Sequence, residues 1–295
     1  MIENMATEHA QTAERVVVGI DSSDNAARAA DWAGREAVGR GLALHLVHAL
    51  DLPGAVGKLI EPDGYAKARH TAGEKLLSTI TAALREQYPA LIVTSEVSEA
   101  GAAESLVALS GNAKLVVTGT RGHGGFAGML LGSVSLKVAA HALCPTVVVR
   151  GEQAGNPLDE IVLGIEPDQA EAPVRFAFET AAELGAAVMA VRVWWPHTGY
   201  GGYCVAEDLE DRGVGEKADL IALLKAVRED YPDVQVSTET IRGNPVPMLI
   251  GAAQGSRLLV VGSHDQHGPL SVGVGYVVQG LLAHSPTPVA VVPIR

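Results

Sequence analysis

Short, unbroken apolar runs alternate along this chain with longer stretches of helical periodicity. In the first half the runs are Val16–Ile20, Ala43–Ala49, Leu91–Val97, Leu115–Thr118 and Thr146–Val149. They are rich in Val and Ile and do not alternate with polar residues, which suits strands of a parallel sheet buried on both faces. Between them the periodicity predicts helices over Asn25–Gly39, Ala66–Gln87, Ala102–Ser110 and Ser133–Ala140. Ser23 and Asp24 are candidate N-caps for the first helix. Pro89 stops the second helix, as Pro232 stops its counterpart. Strand–helix alternation predicts right-handed crossovers and a doubly wound α/β sheet. Ligands of such sheets bind beyond the carboxyl ends of the strands, where strand order reverses. The ends of the first and fourth strands are therefore the place to look.

The pattern occurs twice. VVVGIDSS (Val16–Ser23) is echoed by IVLGIEPD (Ile161–Asp168), LREQYP (Leu84–Pro89) by VREDYP (Val227–Pro232), KLVVTGTRG (Lys114–Gly122) by RLLVVGSHD (Arg257–Asp265), and AHALCPTVVV (Ala140–Val149) by AHSPTPVAVV (Ala283–Val292). The last three pairs share an offset of 143 residues and the first is offset by 145, so the first repeat holds two additional residues before the end of its second long helix. The expected organisation is a tail over 1–14, a first domain over 15–152 and a second over 157–295. The boundary falls in the Gly-, Asn- and Pro-containing stretch Gly151–Pro157.

A length of 295 residues allows each repeat its own core. With 47% apolar and 19% charged residues the chain is globular in composition. No apolar run reaches the length of a membrane helix, and the polar tail Met1–Glu14 has no signal-peptide core. Two cysteines, Cys144 and Cys204, make a disulfide framework unexpected. A cytoplasmic location is the expectation, without membrane partners. The net charge of −12 argues against nucleic acid as a partner. It is unevenly spread. Residues 1–150 carry 13 basic against 15 acidic residues, and residues 151–295 carry 9 against 19. The more acidic second half is the poorer host for a polyphosphate.

The candidate chemistry lies where the fourth strand of the first repeat runs into GTRGHGGFAGMLLGSVS, Gly119–Ser135. Glycines there let backbone approach a ligand closely, and the following helix offers unpaired N–H groups at its start. Ser133 adds a hydroxyl, and Arg121 and His123 can add positive charge. Read alone, the segment is equally well a glycine-softened connection. The spacing Gly119-x-x-Gly122-x9-Gly132-Ser133, after an apolar strand and before a helix, resembles the ATP-binding signature of the universal stress protein family. The first strand's ending, Gly19-Ile20-Asp21-Ser22, and the second's, LVHAL, resemble that family too. The resemblance covers nearly the whole chain and points to the tandem-domain subgroup. It implies two adenine nucleotide α-hydrolase-like, Rossmann-like domains, each a five-stranded parallel sheet flanked by helices.

Carried over by resemblance, Gly119 and Gly122 lie against ribose and phosphates. Gly132, Ser133 and the Val134 N–H hold phosphates, and the backbone of Ala49 meets the adenine. Gly19 and Asp21 sit at the nucleotide, with Asp21 facing the nucleoside or a bound Mg²⁺. Arg121, taken for its positive charge rather than from the resemblance, completes the set. The implied cofactor is ATP with Mg. In the second repeat Gly262 and Gly275 keep register, but Asp265 replaces Gly122, Tyr276 replaces Ser133 and Glu166 replaces Asp21. That site is expected to bind no ATP, because a carboxylate and a bulky ring occupy phosphate positions.

Other signals are weaker. Gly122–Ala127 fits a dinucleotide fingerprint but starts several residues beyond its strand. His264 and His267 read as loop histidines rather than metal ligands, Cys144 as a packed thiol, Trp194 and Trp195 as core or interdomain packing, and Glu207–Asp211 as a solvated acidic face. The expected function is a regulatory, stress-responsive ATP-binding protein, with slow hydrolysis at most. An ATP-using hydrolase or transferase of the same superfold, or a ligand-free dimerising module, stays open. By resemblance, the final strands of the two domains pair as an intrachain pseudo-dimer, on which a homodimer can be built.

Overall fold

The computed structural model describes residues 14–50, 63–122, 130–151, 158–166, 171–195, 206–264 and 274–294, with the side chains of 63, 65 and 206–212 left aside. Residues 1–13 of the tail and 152–157 of the linker lie outside them, as do His123, Cys204, Asp265 and His267. The chain divides into two compact units, Met1–Glu152 and Gln153–Arg295.

The first unit runs β1 (Arg15–Gly19), α1 (Asp24–Gly39), β2 (Ala43–Ala49), α2 (Asp63–Gln87), β3 (Val93–Ser98), α3 (Ala102–Leu109), a 3-10 turn, β4 (Leu115–Gly119), α4 (Ser133–His141) and β5 (Thr146–Val149). Its strands lie in the order β3-β2-β1-β4-β5, all parallel. The order reverses between β1 and β4. The second unit repeats the plan with β6 (Leu158–Ile165), α5 (Glu171–Leu184), β7 (Ala187–Trp194), α6 (Ala206–Asp230), β8 (Val236–Arg242), α7 (Pro245–Ala252), β9 (Ser256–His264), α8 (Tyr276–His284) and β10 (Val289–Ile294). Its order is β8-β7-β6-β9-β10, again parallel. Each unit is thus a Rossmann-like five-stranded sheet between helices, as the alternation of apolar runs predicts.

The central strands carry the core. Val16, Val17, Val18, Leu115, Val116 and Val117 are wholly inaccessible, as are Ile161, Val162, Leu163, Leu259 and Val260. Helix α1 starts where Ser23 turns extended and its side chain accepts the Ala26 N–H. It buries Ala26, Ala29, Ala30, Ala33 and Ala37, small residues that let a helix lie close against a sheet. Helix α2 ends at Gln87, because the residue before Pro89 is pushed out of helical geometry. Strand β3 begins at Val93 rather than Leu91. Only Val93 of its six residues is buried, so the apolar run marks its start poorly.

The two additional residues of the first repeat can be placed. Val16 is opposite Leu44, and its counterpart Ile161 is opposite Val188, so the offset has already fallen from 145 to 144 at the second strand. One residue is therefore lost between the first two strands and the other between the second strand and the long helix. Cys144 is a buried thiol in an apolar cluster with Val17, Val47, Leu106, Val116 and Val138. Among the described residues no helix is long and apolar enough to cross a membrane.

Candidate functional site

Beyond the carboxyl ends of β1, β2 and β4 the first domain holds a cavity of about 740 Å³. All nine residues expected at the site, Gly19, Asp21, Ala49, Gly119, Arg121, Gly122, Gly132, Ser133 and Val134, line it. They come from four places: the end of β1, the end of β2, the end of β4 with its following turn, and the start of α4.

Asp21 follows β1 and is held locally. Its Oδ1 accepts the Ser23 N–H at 2.9 Å and the Ser23 hydroxyl at 2.5 Å. The expected helix-capping role is thus present, carried by Ser23 with Asp21 behind it. The turn after β4 is tied to the same place. The Arg121 carbonyl accepts from Asn25 Nδ2 at 3.2 Å and from Ser23 Oγ at 3.4 Å.

The glycines have particular neighbours. A Cβ at Gly119 would come within 2.8 Å of the Asn25 carbonyl oxygen, so β4 can reach the start of α1 only without a side chain. A Cβ at Gly122 would collide with Asp21 Oδ2. Neither glycine is among those with positive φ. Close approach, rather than a left-handed backbone, explains both, and the obstacle at Gly122 is a protein carboxylate.

Helix α4 opens at Gly132, which caps it without a side-chain hydrogen bond. Gly132 N–H donates to the Thr120 carbonyl at 2.7 Å, and Ser135 Oγ donates to the Gly119 carbonyl at 2.7 Å, fixing the helix start over the end of β4. A helix start so placed directs N–H groups and positive dipole into the cavity. Among the lining residues Asp21 is the one carboxylate, while Arg69 and Arg121 bring two guanidiniums.

Sequence reasoning missed Arg69, Leu106 and Ser135 as lining residues and the role of His48. His48 Nδ1 donates to the Ile20 carbonyl at 2.8 Å, and its ring lies against Gly73 of α2, where a Cβ would sit 2.7 Å from Cδ2. The signal was a histidine at the end of a strand with a glycine on the facing helix. The contact spans 25 residues of separation, and no local pattern reports it.

The second domain differs at each of these points. The matching recess is about 170 Å³ and is lined mainly by apolar side chains, among them Val191, Val193, Leu249, Val261 and Val278. Tyr276 occupies the first position of α8 and is 75% exposed. Glu166 lies 3.6 Å from His264 Nε2. Register puts Val47 opposite Gly19 and Val191 opposite Gly164, so Arg192 stands where His48 stands. Glu216, offset by 143 from Gly73, meets it in a buried ion pair at 2.6 Å. A histidine and a glycine in one domain are thus an arginine and a glutamate in the other. Trp194 ends β7 beside Gly213, but Trp195 is 60% exposed, which corrects its expected place in packing.

Two tandem Rossmann-like domains, one with a glycine-lined cavity at its switch point, define the class of protein. The universal stress protein family model matches residues 12–150 and again 157–293. A universal stress protein of Mycobacterium tuberculosis is 30% identical over 295 aligned residues, spanning 94% of this chain and 95% of the relative. The chain belongs to the universal stress protein family, with two tandem copies of its domain. Among solved structures, a universal stress protein from Archaeoglobus fulgidus DSM 4304 shares the fold over 96% of this chain and 97% of its own, with a TM-score of 0.71 at 18% identity. A further universal stress protein from Archaeoglobus fulgidus, determined in complex with dAMP, covers 46% of this chain and 98% of its own at 22% identity and a TM-score of 0.36.

Proposed function

We propose that the first domain binds ATP and that the protein acts as a regulatory, stress-responsive nucleotide-binding protein, its second domain taking no ATP. The observation that carries this reading is the convergence of nine residues from four separate segments on one cavity. Its volume of about 740 Å³ lies in the range, roughly 300–1,000 Å³, usual for small-molecule sites. The chain carries a net charge of −12, yet this cavity is lined by two guanidiniums and one carboxylate. That carboxylate, Asp21, already accepts two hydrogen bonds from Ser23. A polyanion fits the start of α4, and the backbone at Ala49 offers a purine edge its partner.

Magnesium fits as a companion of the phosphates. Among the described residues no group of three or more acidic, histidine or cysteine side chains could hold a metal by itself. One carboxylate with phosphate oxygens and water is an ordinary magnesium environment. His48 lines the cavity with its Nδ1–H given to the Ile20 carbonyl, and the reading proposed is nucleotide binding, with slow hydrolysis at most. Pairing of the two domains through their final strands and a cytoplasmic location belong to the same proposal.

The test is mass spectrometry of nucleotide released from the denatured full-length protein, followed by calorimetric titration of the stripped protein with ATP. One site per chain is expected. Absence of both released nucleotide and binding heat would overturn the reading. Two sites per chain would overturn its second-domain half.

A further inference from the structure

The floor of the second-domain recess repeats that of the first-domain cavity. Leu106 of α3 lies over Gly19 at the end of β1, where a Cβ would come within 2.9 Å of its Cδ1. Leu249 of α7 lies over Gly164 on β6, the counterpart of Gly19, where a Cβ would come within 3.2 Å of both its methyl carbons. The walls are not repeated. At the offset of 143 residues, Val261 stands for Thr118, Val278 for Ser135 and Pro245 for Ala102. Register places Val193 where Ala49 stands. Two hydroxyls of the first cavity are thus valines in the second, and two alanines are larger apolar residues.

These replacements leave space rather than closing it. The recess keeps about 170 Å³, against about 740 Å³ in the first domain. Val191, Leu249, Val261 and Val278 border it, each at most 5% exposed. Tyr276 does not fill it, being 75% exposed. A cavity of roughly 150 Å³ lined by such side chains stays dry and takes a molecule the size of benzene, because water finds too few polar partners in it. At the rim Glu166 lies 3.6 Å from His264 Nε2, and residues 151–295 carry 19 acidic against 9 basic residues. An anion is disfavoured in such a field.

We propose that the second-domain recess is a binding site for a small, uncharged, apolar molecule about the size of benzene, held by Val191, Val193, Leu249, Val261 and Val278. The exchange of hydroxyls for valines is then a change of ligand class and not only the loss of a nucleotide site. The inference rests on the second-domain half of the reading above, that this domain takes no ATP, and is independent of what the first domain binds. The driving force is removal of the ligand's apolar surface from water. The walls are already packed, so binding orders few side chains and wastes little of that gain.

The experiment titrates the full-length protein with fluorobenzene, read by fluorine NMR, with saturating ATP present to occupy the first domain. Saturable binding at one site per chain is expected. Val193→Phe, made at a half-buried position near the end of β7, is expected to fill the recess and abolish binding. Val261→Thr restores the first domain's residue at nearly equal volume and is expected to weaken binding about fourfold, the worth of one methyl group on an apolar wall. Benzoate, the same ring with a negative charge, is expected not to bind saturably. Wild-type protein that shows no saturable fluorobenzene binding overturns the inference. Undiminished binding by Val193→Phe overturns it too, since the site then lies elsewhere. Should Val193→Phe not fold, unchanged affinity in Val261→Thr has the same force. Benzoate bound as tightly as fluorobenzene overturns the ligand class. Calorimetry with ATP separates the two readings. Two ATP sites per chain overturn the second-domain half of the proposed function together with this inference, whereas one ATP site without fluorobenzene binding overturns this inference alone.

Discussion

At Gly122 the space a methyl group would need is taken by the carboxylate of Asp21. Gly122→Ala must therefore push Asp21 off its clasp with Ser23 or push the turn after β4 away from α1. Either movement disturbs the cavity without touching the core. ATP affinity is expected to fall about tenfold or more, the cost of displacing one charged hydrogen-bonding group, with the fold intact by circular dichroism. Adding Asp21→Ala to Gly122→Ala should then cost much less than Asp21→Ala costs in wild type, because the two changes remove one contact. Additive losses in that cycle would show that the collision does not govern binding. That these nine positions would line one cavity was legible in the sequence because family spacing marks most of them. The reason for Gly122 was not, since Asp21 and Gly122 meet only once β1 and β4 lie side by side. Arg69, on a helix far from the motif, left no local sign at all.

Strand β2 lies between β1 and β3 and carries a buried histidine, His45. Its Nδ1 shares a hydrogen bond with Thr94 Oγ1 on β3 at 2.8 Å, and its Nε2 lies 3.4 Å from Glu96 Oε2 on the same strand. Burial above all, then the charge of Arg15 on β1, lower its pKa below the ordinary 6.5, against the opposing pull of Glu96. As pH falls through 6.5 the unfolded chain takes up this proton while the folded chain resists it, so stability falls with pH until the folded pKa is reached. Above 6.5 both states are neutral and the group contributes no slope. Urea unfolding at pH 7.5 and 5.5 should show a smaller loss in His45→Gln than in wild type. An equal loss would assign the acid sensitivity elsewhere. Elements with uniformly apolar runs, such as β1 and β4, were read from the sequence to within a residue. Strand β3 was read less well because its exposed positions, Ser95 and Glu96, break the apolar run.

Over the whole chain, the repeat was legible because four segment pairs keep nearly constant offsets. The divergence of the two sites was legible only in part. Asp265 and Tyr276 stand out within the motif, whereas Arg192 and Glu216 acquire meaning only through strand register. In the order of the first domain, β5 is the last strand, an apolar TVVV segment. An apolar strand edge left uncovered invites association with another chain. On the proposal that the second domain's final strand covers it, the fragment Met1–Gln153 expressed alone should self-associate or aggregate in sedimentation experiments. A monomeric fragment with full ATP affinity would sink that pairing and leave two independent domains.

The buried pair Arg192–Glu216 bears on how the two halves can evolve. Arg192 is 5% exposed while Glu216 reaches solvent in part, so removing the carboxylate strands the guanidinium away from water, a loss of about 3–5 kcal/mol. A route to the histidine and glycine of the first domain that removes Glu216 first therefore passes through a destabilised intermediate. Exchanging Arg192 for histidine first leaves an imidazole that can still take a proton opposite the carboxylate, so the order of the two changes matters. Folding itself thus sets the order in which one interior could become the other, whatever the ligand. The two halves of the duplicated chain are alike in plan but not freely interchangeable within.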